Sequence, residues 1–112
     1  MAKYEARITG QLQEVVSSLH NDIMNSALSM NLVDESNYTL GEIQVAVRVY
    51  DKYFMRNESR ASLSLTVVAH GSDIFISAIG AGGGKGVFFN FTFGAEESIV
   101  DIVRECIAGM GY

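Results

Sequence analysis

Between residue 43 and residue 69 the chain carries two runs in which apolar side chains recur at every second position, with a polar break at 56–60 between them. Residues at i and i+2 share one face of a strand, so each run reads as a strand that turns one face to a core. Ile43, Val45, Val47 and Val49 alternate with Gln44, Ala46, Arg48 and Tyr50, and Leu63, Leu65, Val67 and Ala69 alternate with Ser62, Ser64, Thr66 and Val68. On hydrophobicity alone the first set of each pair faces the core. Residues 74–79 form a further strand, too uniformly apolar to assign its faces. Strands this close in sequence, separated by polar turns at 56–60 and 70–73, pair antiparallel.

Two segments carry the helical period instead. Leu12, Val15, Val16, Leu19, Ile23 and Ala27 fall on one stripe, predicting a helix over about 11–28, capped by Thr9 or Gly10. Ile99, Ile102, Val103, Cys106, Ile107 and Met110 form a second stripe, predicting a helix over about 95–108 that Gly109 and Gly111 end. A strand precedes the first helix, because Tyr4, Ala6 and Ile8 alternate with Lys3, Glu5, Arg7 and Thr9. Residues 30–34 suggest a short strand that turns through 35–39, and residues 87–93 another strand or extended segment. Two amphipathic helices cover one sheet face economically. The expected fold is therefore a two-layer α+β domain over residues 1–112. An antiparallel sheet of four to six strands would carry both helices on one face, in a helix-grip-like arrangement.

The glycine run at 80–86 imitates a phosphate-binding loop and fails its spacing. Counting back from Gly84-Lys85, the position of the first Walker glycine is Ile79, and Gly86 stands where a magnesium-binding Ser or Thr belongs. From Gly80 and Gly82, the third glycine of a dinucleotide loop falls on Lys85, and the segment that follows reads as a strand rather than a helix. The run reads as a flexible or bulged strand connection, and no nucleotide or other cofactor is expected.

The net charge is −5 and Lys and Arg occur singly, which argues against nucleic acid and against an anionic membrane surface. The N-terminus lacks the pattern of a signal peptide, and no apolar run approaches the ~20 residues of a membrane span. A cytoplasmic protein is the expectation. Cys106 is the only cysteine and sits on an apolar helical stripe, as an inert core thiol would. His20 lies at the edge of the first helix's stripe and His70 at a turn, with no Cys/His spacing suited to zinc. Asp34, Glu35 and Asp51 lack EF-hand spacing. No catalytic constellation emerges, so an enzyme is not expected.

Several segments resemble a family of small, uncharacterised bacterial proteins of Firmicutes type, a domain of unknown function. They are Lys3-Tyr4-Glu5, residues 46–50 with Tyr53, residues 62–68, and residues 77–83 with Phe88-Phe89, Thr92, Phe93, Gly94, Glu96 and Glu97. The resemblance covers nearly the whole chain and implies no catalytic residue.

Three functional readings remain, the least favoured being an enzyme that uses His20 or His70 with a carboxylate or a tyrosine. The favoured one is a homo-oligomer, most simply a dimer, joined through a sheet face of small uncharged residues. Its interface would comprise Ala46, Arg48, Tyr50, Ser62, Ser64, Thr66 and Val68. The alternative is a module for a small apolar ligand, with a pocket between the sheet and the C-terminal helix lined by Met24, Met30, Phe89, Phe91 and Met110.

Overall fold

In a computed structural model of the chain, which describes residues 2–26, 30–54, 59–84 and 93–110, the alternating segments form one five-stranded sheet. In chain order the elements are β1 (Ala2–Thr9), α1 (Leu12–Asn25), β2 (Met30–Leu40), β3 (Ile43–Phe54), β4 (Ser59–His70), β5 (Asp73–Gly84) and α2 (Phe93–Gly109). The strands lie in the order β1-β5-β4-β3-β2, and every neighbouring pair is antiparallel. The α+β expectation holds, with β1 and β2 as the two edges and β4 at the centre.

The turns fix this order. Leu40 pairs with Ile43 and His70 with Asp73, which leaves two-residue hairpin loops at Gly41-Glu42 and Gly71-Ser72. Both favoured two-residue turns need a positive φ at their first position, and Gly41 and Gly71 supply it at 59° and 63°.

Both helices pack on the same face of the sheet. Val15, Val16, Leu19 and Ile23 of α1 join Ile99, Val100, Val103 and Ile107 of α2 in one buried cluster. Beneath them lie Ala61, Leu63, Leu65, Val67 and Ala69 of β4 with Ile74, Ile76 and Ala78 of β5. Arg104 of α2 sits over the Tyr4 ring of β1 at 5.0 Å. Among the described residues, no helix is long and apolar enough to cross a membrane.

The structure corrects several local expectations. The N-cap of α1 is Gln11, not Thr9 or Gly10. Gln11 is extended (φ −111°, ψ 135°) and its carbonyl accepts the first helical bond from Val15 N–H at 3.0 Å. Residues 35–39, read as a turn, continue β2 up to Leu40. Their Ser, Asn and Thr residues mimic a turn because an edge strand open to water tolerates polar side chains on both faces. Gly80, Gly82, Gly83 and Gly84 lie in β5, opposite Leu63, Ala61, Arg60 and Ser59, so this backbone extends a ladder rather than curling around an anion. Phe93 begins α2 rather than ending a strand, and residues 85–92 lie outside the described residues.

The largest correction concerns β3. Register pairs Ala46 with Val67, Arg48 with Leu65 and Tyr50 with Leu63, which places all three on the helix-covered face. Tyr50 is 0% and Ala46 2% exposed. Ile43, Val45, Val47 and Val49, expected in the core, face the other way.

Candidate functional site

On the face away from the helices, the register lines residues up in rows across all five strands. One row reads Arg7, Phe75, Val68, Val45 and Tyr38, from β1 to β2. The next reads Glu5, Ser77, Thr66, Val47 and Ser36, and the third Lys3, Ile79, Ser64, Val49 and Asp34. No described element lies over these rows. Tyr38 and Leu40 are 61% and 62% exposed, and Ile43, Phe75 and Ile79 are exposed as well. Among the described residues, the inner strands β5, β4 and β3 carry no charge on this face between His70–Asp73 at one end and Asp51 at the other. Charges collect at the margins. Lys3, Glu5 and Arg7 stand on β1 and Asp34 on β2, while at the Asp51 end Arg60 bonds Asp51 at 3.0 Å and lies over Tyr53. An uncharged apolar field with a polar rim is the composition of a contact surface rather than of a solvated one.

The residues expected at the interface therefore divide. Ser62, Ser64, Thr66 and Val68 lie on the open face, whereas Ala46, Arg48 and Tyr50 lie under the helices. Val45, Val47, Val49, Phe75 and Ile79 were not anticipated there. Their signal was present in β5, where residues 74–79 are apolar on both faces, so one apolar face was bound to remain over after core packing.

Three of the expected pocket residues fall among the described ones. Met30 is buried in the core, and Met24 and Met110 are partly buried against it. Phe89 and Phe91 lie outside the described residues. A cleft of about 300 Å³ opens elsewhere, between the N-terminal half of α1 and the covered faces of β2 and β3. Leu12, Val16 and Ala46 form its apolar floor, and Arg48 is its only fully charged lining residue.

Under α1 the covered face of β3 holds two polar groups, each tied. The Tyr50 hydroxyl and His20 Nδ1 share a 2.8 Å hydrogen bond, with their rings tilted 5.7 Å apart. Burial, only partly offset by the Arg48 charge, pushes the Tyr50 phenol up to about 12. Arg48 Nη1 donates to Asn37 Oδ1 and to the Val47 carbonyl, each at 2.9 Å, and its Nε meets the Glu35 carboxylate at 3.3 Å. These bonds settle a guanidinium and a phenol that the helices would otherwise strand away from water. Asp34 and Glu35, adjacent in sequence, point to opposite faces, because Asp34 pairs with Val49 and Glu35 with Arg48. His70, at the β4–β5 turn, meets Glu42 at 3.5 Å. Among the described residues, no three His, Cys, Asp or Glu side chains group as metal ligands would.

Cys106 is partly buried on α2, and its thiol is pushed up to about 11, first by burial and then by the neighbouring Asp22 carboxylate. At pH 8 the thiolate population should fall about a hundredfold below that of an ordinary thiol. Because a thiolate of higher pKa is also the stronger nucleophile, reaction with a disulfide reagent is expected to be about tenfold or more slower in the native protein than in the same chain unfolded in guanidinium. Equal rates would contradict the inert-thiol reading.

No curated protein matches the chain. A family model does, over residues 1–111, and it spans every element of the sheet and both helices. The chain belongs to the family described as "Family of unknown function (DUF6054)".

Proposed function

We propose that this protein is a non-enzymatic, cytoplasmic self-association module in which two copies press their open sheet faces together. The observation that carries the reading is the uncharged apolar field on β5, β4 and β3, left open while both helices cover the opposite face. Monomeric proteins rarely expose contiguous apolar patches beyond a few hundred Å². Five strands spaced ~4.8 Å, with about seven residues each at ~3.3 Å, give a footprint of roughly 500 Å² in projection. The accessible area of projecting side chains exceeds their projection, which brings the face to the scale of the ~800 Å² per partner that a standard interface buries. Ser64, Thr66 and Val68 on the central strand are small enough to let two sheets approach to the usual ~10 Å. The reading uses no reacting group, and it is supported by the commitment of Arg48 and Tyr50 to internal bonds.

Sedimentation velocity at tens of micromolar decides it. A species of twice the 12.2 kDa chain mass is expected, and a monomer throughout that range would refute the module.

A second reading rests on the cleft beside α1, whose floor of Leu12, Val16 and Ala46 suits a small apolar ligand. Native mass spectrometry of the purified protein would show a retained mass if this reading holds, and the bare chain mass if it does not.

A further inference from the structure

Resting on the reading that the open face meets a second copy, we infer that the two-fold axis of the pair runs parallel to the strands along β4. In that arrangement each β1 margin lies over the partner's β2 margin. Two faces packed with their strands nearly aligned are related by an axis along the strands or by one across them, and the charges on the margins distinguish the two. An axis across the strands sets β1 on the partner's β1 with the rows reversed. Lys3 then meets the partner's Arg7, and Glu5 meets the partner's Glu5. Every one of these contacts is repulsive, and like charges brought together are a strong means of excluding an arrangement.

An axis along the central strand keeps each row on itself and exchanges the edges. Lys3 then lies over the partner's Asp34, because both belong to the row through Ile79, Ser64 and Val49. Arg7 lies over the partner's Tyr38, whose exposed ring offers a face to a guanidinium. The apolar residues match in size as well. Phe75 meets the partner's Val45 and Ile79 meets the partner's Val49, while the small central residues Ser64, Thr66 and Val68 meet their own copies. Packed sheets cross at about 30°, which shifts residues at the margins by about 5 Å along the strand, within the reach of a lysine side chain.

Charge exchange in solution tests the axis, since Lys3 and Asp34 are exposed and neither contributes to the core. At low ionic strength, Lys3→Glu and Asp34→Lys should each weaken self-association about tenfold, because each turns both marginal attractions into repulsions. Mixing the two variants should restore it. In the mixed pair, the new Glu at 3 faces the new Lys at 34, and the remaining Asp34 faces the remaining Lys3. Bulk repulsion alone predicts otherwise: it would make Asp34→Lys by itself the tightest, since that change brings the net charge of −5 two units closer to zero. Sedimentation equilibrium on each variant and on the equimolar mixture gives the answer. Tightest association by Asp34→Lys alone, or by Lys3→Glu as the crosswise axis requires, overturns the axis while leaving the dimer standing. A monomeric wild-type protein overturns both the axis and the self-association on which it rests.

Discussion

Replacing Ser64 by glutamate should convert the self-associated protein to monomer at tens of micromolar while leaving the fold intact. Ser64 lies on the central strand of the open face, paired laterally with Val49 and Ile79. In a two-fold pair with its axis along β4 it meets its own copy, so one substitution sets two carboxylates against each other in a contact that excludes water. An unpaired buried charge costs several kcal/mol, enough to shift a dissociation constant by two orders of magnitude or more. Folding should survive because the side chain points away from the helices and their core. Light scattering reports the mass, and the far-ultraviolet spectrum with the melting temperature reports the fold. An oligomer that persists unchanged in the variant would place the interface elsewhere.

In that monomeric background, Tyr50→Ala is expected to cost about 3–5 kcal/mol, whereas Val49→Ala, one residue away, should cost about 1 kcal/mol or less. Tyr50 is fully buried opposite Leu63 and holds His20. Its removal leaves a large cavity and deprives the His20 ring of its partner. Val49 stands on the open face and loses little that a monomer had buried. In a domain with a total stability of ~5–15 kcal/mol, the first change brings the protein close to unfolding. Urea denaturation of the three proteins measures the difference. Equal losses, or the greater loss at Val49, would reverse the assignment of the two faces of β3.

Those two faces mark the limit of what the residues disclose when read in order. The periods of α1, α2 and β4 are local, and each names its own buried stripe: Leu19 and Ile23, Val103 and Ile107, Leu63 and Leu65. The antiparallel pairing followed from the polar turns at 56–60 and 70–73, the second of which holds the two-residue loop Gly71-Ser72, whereas the turn expected at 35–39 falls instead at Gly41-Glu42. The mismatch of the glycine run to phosphate-loop spacing was legible too, since spacing is a property of the sequence itself. Alternation in β3 likewise showed which residues share a face, but not which face the helices would cover. By hydrophobicity the four β-branched residues should have won over Ala46, Arg48 and Tyr50. Cross-strand register decided otherwise, by setting Ala46 and Tyr50 against Val67 and Leu63, which already faced the core. Register couples residues distant in the chain, and shifting it by one would turn the apolar set of β4 to water. The bond between His20 and Tyr50, thirty positions apart, arose in the same way, as did the rows of the open face. Sequence thus determined the two helices, most of the strands and their antiparallel pairing. Only the tertiary structure decided which apolar face was left over, because burial is shared among strands and no single strand's pattern records its neighbours.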